Sequence, residues 1–160
     1  MPGERRKIRR QIGLYYFIVL SIYLLDQVSK FCVEKLVLQG SSIPVIKNIF
    51  HITLVYNTGA AFGMLREHAY LFVVIAVLAA ALICYFLMRR SRVLSVTQKL
   101  ALCFILGGIL GNLTDRIRFG YVIDFIDFRV WPVFNFADSF ITAGAALLGF
   151  SILVKGKERK

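Results

Sequence analysis

The stretch AYLFVVIAVLAAALICYFLM, residues 69–88, holds no charged side chain. About 20 consecutive apolar residues in a helix cross the hydrocarbon core of a bilayer, where every backbone N–H and C=O must be satisfied within the segment. This stretch therefore predicts a membrane-spanning helix. Working outward, three more runs qualify: 12–31, which carries Asp26 and Lys30 near its far end, 98–113, and 137–154. The composition agrees. The chain is 58% hydrophobic with mean hydropathy +0.70, too apolar for a soluble domain of 160 residues. The expectation is a membrane protein made of one domain over 1–160, a four-transmembrane-helix bundle joined by outer segments 32–68 and 114–136.

The net charge of +11 invites a nucleic-acid reading, but its distribution speaks against one. Basic residues cluster at Arg5–Arg10, at Arg89–Lys99 and at Lys155–Lys160, where they flank apolar runs as positive-inside residues do, and no recognition motif accompanies them. These segments hold 13 of the 20 Lys and Arg residues against only Glu4 and Glu158. The remaining 7 basic residues face 7 acids in the other segments. Both termini are thus expected in the cytoplasm, with the acids and any chemistry on the outward side. The first run has the basic lead and apolar centre of a signal peptide. It ends in LLDQVSKF with no small-residue cleavage site, so it reads as a retained span.

The outer segments carry signals of their own. Large apolar residues recur at every second position in Phe50–Tyr56, the period of a strand, and Asn57-Thr58-Gly59 follows as a turn, after which 60–65 is placed to pair back. A small extracytoplasmic β-sheet at the membrane surface is the result, with Phe119–Phe128 alternating more weakly. Tyr56, Tyr121 and Trp131 suit the interfacial zone. Gly107 and Gly111 form a GxxxG pair that lets helices approach, and Gly108, Asn112 and Asp115 share one helix face. Cys32, Cys84 and Cys103 fit no metal or disulfide spacing and read as core residues. His51 and His68 have no metal-ligand pattern, and no cofactor is expected.

Ionisable residues beside membrane spans are functional candidates by default. Asp26 and Lys30 are spaced i, i+4, as an ion pair would be. Asp115 and Arg116 sit where the third span surfaces, placed to anchor the outer segment or meet a substrate. Asp124 lies within YVIDFI, an apolar setting that favours the protonated acid. Asp138 opens the fourth span, where the helix dipole favours the ionised form. Asp127 competes with Asp124: in a strand the two face opposite ways, in a helix the same way. Two acids with opposed preferences are what acid/base hydrolysis requires. A proton or ion pathway, and a purely structural role, remain open on these residues alone.

Four blocks in order, Asp26-Gln27-Val28-Ser29-Lys30, Asn57 to Gly63, Gly111 to Arg116 with Gly120 to Asp127, and Phe134 to Ser139, resemble the lipoprotein signal peptidase (signal peptidase II) family of bacterial integral-membrane aspartyl proteases. The resemblance covers nearly the whole chain. It implies Asp124 and Asp138 as the catalytic pair. It also implies that Asn57, Gly59, Asn112, Arg116 and Asn135 line or support the site, with Asp115, Asp26 and Lys30 in matching blocks. The implied substrates are prolipoproteins carrying a diacylglyceryl group on cysteine, cleaved before that cysteine. The implied partners are membrane lipids and globomycin-type inhibitors, with the protein a monomer in the bacterial inner membrane. A proton-coupled transporter and a lipopeptide-binding scaffold are the rivals from other classes; the first is disfavoured by the charge-free 69–88 span.

Overall fold

A computed structural model describes residues 2–59, 69–91 and 93–157. Four helices carry spans long and apolar enough to cross a membrane: α1 (Pro2–Leu36), α2 (Ala69–Arg89), α3 (Val96–Phe119) and α4 (Phe136–Lys157). Three strands, β1 (Ser42–Ile46), β2 (Phe50–Asn57) and β3 (Val122–Asp127), form an antiparallel sheet in that order.

Local chemistry sets the helix limits. Ser95 accepts from the Gln98 backbone N–H while the Gln98 side chain accepts from the Ser95 N–H, a reciprocal capping box that starts α3. Gly120, at φ 79°, ends it, since the left-handed conformation of a helix C-cap favours glycine. The third span runs six residues beyond the expected Leu113, because Asp115, Arg116 and Arg118 stay helical up to that cap. The first span likewise continues to Leu36 rather than Phe31.

Helix α3 is the hub. Half of its span is buried inside the protein, against 6–11% of the other three, whose apolar surface is left for lipid. Its glycines permit the close packing. A Cβ on Gly107 would meet Ile22 of α1, one on Gly108 would meet the Ala137 carbonyl of α4, and one on Gly111 would lie 2.5 Å from Asp26 Oδ2. Ile83, Leu102 and Leu106 form the apolar contact with α2. The expectation of core thiols holds for Cys103 alone. Cys32 and Cys84 are exposed, because in a membrane protein an apolar position need not face protein.

The sheet sits at one end of the bundle. Val37 at the end of α1 packs with Leu54 and Ile123, and Tyr56 stacks on Tyr121 at 4.4 Å. The extended reading of Phe50–Tyr56 holds. Its described partners are β1 on one side and β3 on the other; the expected return strand at 60–65 lies outside the described residues. All six residues of β3 are buried. Its Phe125 and Ile126 N–H groups donate to the Phe134 carbonyl, which brings the start of α4 beside the strand.

Candidate active site

Five elements place the polar side chains together: the C-terminal ends of α1 and α3, the end of β2, β3, and the first turn of α4. Asp124 is 2% exposed, on the strand position opposite Val55. Its Oδ2 accepts from Asn57 Nδ2 at 2.9 Å and its Oδ1 from Asn135 Nδ2 at 2.7 Å. Asn57 is held in turn by the Gly59 N–H, which donates to its Oδ1 at 3.0 Å. Asp138 lies in the first turn of α4 and accepts from Asn112 Nδ2 at 2.7 Å. The two acids are linked through amides, since Asn135 Nδ2 also donates to Asn112 Oδ1 at 3.0 Å.

Asn135 has a second task. Its Oδ1 accepts the Asp138 backbone N–H at 2.8 Å, capping the helix that carries that acid. The same side chain therefore holds one acid directly and the other through its helix. The sequence reading of Asp138 as a first-turn acid stands, with Asn135 as the capping side chain.

Asp124 and Asp127 settle into different surroundings, as their odd separation in a strand requires. Burial, then the charge of Asp138, pushes the Asp124 carboxyl up to about 7, against the opposing pull of the Asn57 and Asn135 amides and Lys30. Asp127 also feels burial, but the Thr53 hydroxyl and the Arg129 backbone and guanidinium outweigh it and hold that carboxyl below the usual range. Asp127 belongs to a polar chain on the sheet with Thr53, Ser42 and His51, apart from Asp138.

Beneath the two acids lies a buried ion cluster. The expected Asp26–Lys30 pair forms at 2.8 Å, and Lys30 also meets Asp115 Oδ2 at 2.7 Å and Asn112 Oδ1 at 3.0 Å. Asp115 does anchor the outer segment, by accepting the Ile123 N–H at 3.2 Å, but its ionic partner is Lys30 rather than Arg116. Arg116 turns to Phe72 of α2 instead, its guanidinium carbon 5.2 Å from the ring centre, within the electrostatic reach of Asp138, Asp124 and Asp115.

Every site residue singled out in the sequence thus falls in this region. Two contributors were missed. Gln27 donates to Asp26, to the Gly111 carbonyl and to Asp115; its place beside Asp26 was the available signal. The Ala137 backbone N–H donates to Asp26 Oδ1 at 2.9 Å, a contact between distant parts of the chain with no local signature.

Comparisons with known proteins show the family and the fold. A family model described as signal peptidase (SPase) II matches residues 18–154. A lipoprotein signal peptidase of Halothermothrix orenii is 50% identical over 137 residues, 84% of this chain and 92% of that one. One of Pelotomaculum thermopropionicum is 46% identical over 144 residues, 88% and 92% of the two chains. A solved structure described as a bacterial membrane enzyme superposes with TM-score 0.87 at 30% identity, covering 93% of both chains.

Proposed function

The chain belongs to the signal peptidase II family, membrane proteases that cleave signal peptides from prolipoproteins, and from that premise we propose that Asp124 and Asp138 perform the cleavage as an aspartyl dyad. The observation that carries the reading is the pairing of a buried Asp124, pulled up to about 7, with an Asp138 joined to it through Asn135 and Asn112. Among the described residues, four carboxylates, Asp26, Asp115, Asp124 and Asp138, face two cations, Lys30 and Arg116. One proton retained by the dyad relieves that excess.

In the mechanism, Asp138 is ionised and takes a proton from a water molecule. Protonated Asp124 hydrogen-bonds the oxygen of the peptide carbonyl that precedes the lipidated cysteine. Water oxygen bonds to the carbonyl carbon, and Asp124 passes its proton to the developing oxyanion. The tetrahedral intermediate then collapses. Its C–N bond breaks, Asp138 delivers its proton to the leaving amine of the cysteine, and Asp124 recovers its own. The residues supply general acid and base help worth roughly 10²–10⁴-fold for each group. The chemistry needs no cofactor.

The site sits at one end of the bundle, where the C-terminal ends of α1 and α3 meet the start of α4. A diacylglyceryl-bearing cysteine is held at that depth, because each buried CH₂ contributes about 0.8 kcal/mol. The basic clusters that flank the spans support cytoplasmic termini and an outward-facing site. The protein acts as one membrane domain and as a monomer, with lipids around it, and globomycin-type peptides inhibit it at the same site. A transport role would need charged or polar groups deep in several spans leading to both faces, and α2 carries no charge before its last residue, Arg89.

The test compares a lipidated with an unlipidated prolipoprotein, each incubated with purified wild type and with Asp138→Asn. Wild type cuts the lipidated substrate, and the variant binds it without cutting. Cleavage by the variant at near wild-type rate would remove the dyad from the mechanism.

A further inference from the structure

Lys30 is 1% exposed, so it cannot touch a substrate. An ion pair one helical turn away is enough to explain a buried lysine, and Asp26 supplies it. Yet the three N–H donors of Lys30 are all in use: on Asp26 Oδ2 at 2.8 Å, Asp115 Oδ2 at 2.7 Å and Asn112 Oδ1 at 3.0 Å. The third bond does something the first two do not. Asn112 Oδ1 receives both Lys30 Nζ and Asn135 Nδ2. If the Asn112 amide were turned over, its NH₂ group would abut an ammonium and another amide donor, and both bonds would be lost. The amide is therefore held one way round, with its Nδ2 on Asp138 Oδ1 at 2.7 Å. Asp138 Oδ2 has no hydrogen-bond partner among the described residues, so it is the oxygen placed to receive a proton from water.

We infer that Lys30 is a positioning residue for the dyad: by taking the Asn112 carbonyl oxygen it points the Asn112 amide at Asp138 and fixes that carboxylate with one oxygen bound and the other free. The inference rests on the dyad reading above, but its test is separate, because it concerns the rate at which an intact dyad works. Asn112 joins Lys30 to Asp138 by direct hydrogen bonds, and the charge of Lys30 also reaches both acids through space; Lys30→Gln, a donor without the charge, tells the two routes apart.

The experiment uses the full chain in detergent with a lipidated prolipoprotein, in an Asp26→Asn background. There, loss of the lysine charge leaves one buried carboxylate, Asp115, without its ionic partner instead of two. Lys30→Met removes the donor; Lys30→Gln keeps a neutral donor that can reach Asn112. Lys30→Met is expected to lower kcat by about tenfold to a hundredfold, as a misplaced catalytic group does. KM should move less than about twofold, because substrate binding is not touched. Lys30→Gln is expected to recover most of that loss. Adding Asn112→Ala to Lys30→Met should cost little more, since two groups acting through one contact are not additive. Equal activity of the Met and Gln variants, additive losses with Asn112→Ala, or a loss carried by KM would each overturn the inference. So would failure of both lysine variants to fold, which would assign Lys30 to the bundle rather than to the dyad. An Asp138→Asn enzyme that still cleaves would strike the dyad reading instead, whatever Lys30 does.

Discussion

Replacing Asp124 with asparagine should abolish cleavage and, above neutral pH, make the protein more stable. The argument is one of proton linkage. In the unfolded chain this carboxyl ionises near 3.9, whereas in the folded protein burial and the charge of Asp138 raise it to about 7. Between those values the native state keeps a proton that the unfolded state has lost, so stability falls as pH rises through the window and levels off above it. At 1.36 kcal/mol per pH unit, roughly three units amount to about 4 kcal/mol. An asparagine side chain has the shape of the protonated acid and does not titrate, but its single carbonyl oxygen accepts from only one of the Asn57 and Asn135 amides while its own NH₂ group faces the other, a pH-independent cost of about 1–3 kcal/mol. Unfolding measured in mixed micelles from pH 4 to pH 8 should therefore show the Asp124→Asn variant about 1–3 kcal/mol below wild type at pH 4, by the one bond it loses. Between pH 4 and pH 8 the difference should move by about 4 kcal/mol in favour of the variant, so that it leads at pH 8. A variant that gains nothing across this range, or loses, would refute the claim that Asp124 is held up by its surroundings.

Three further outcomes follow from the same geometry. The kcat/KM of the wild type should fall as pH rises through about 7, because the acid that must be protonated there is Asp124; an activity flat to pH 9 would contradict this. Asp127→Asn should leave cleavage within about threefold of wild type and cost about 1 kcal/mol or less in unfolding measurements, since its Arg129 partner is 49% exposed. Gly111→Ala places a methyl 2.5 Å from Asp26 Oδ2 and 3.3 Å from Ala137 Cβ. It should destabilise the bundle by about 1–3 kcal/mol and lower activity, read by thermal unfolding and turnover together.

The spans were legible because a bilayer imposes one rule on length and polarity; the charge-free 69–88 run could be read in no other way. The two proposed catalytic acids were legible for the related reason that each stands beside apolar residues which would exclude an idle charge. What the sequence did not disclose depends on partners distant in the chain. Ser42–Ile46 has a proline at its centre and is exposed throughout, so its strand character comes from pairing with β2 rather than from a pattern. Whether Asp124 and Asp127 share a face turned on whether the segment was strand or helix, and the β2 ladder makes it a strand. Asn135 was expected to support the site, but its double role as helix cap and Asp124 donor appears only when β3 and α4 meet. Cys32 and Cys84 were misplaced because hydrophobicity marks a residue for lipid as readily as for protein.

The bond from the Ala137 N–H to Asp26 joins residues 111 positions apart. A ribosome releases the chain from its N-terminus, so Asp26 reaches the bilayer long before its counterpart has been synthesised. Until the last helix is delivered and docks, the first one holds an unfinished half of the constellation, and Asp138 itself is absent. On the dyad reading the newborn protein is therefore inert throughout its insertion, and a nascent chain stalled ahead of residue 137 remains in the membrane without the power to cut its neighbours.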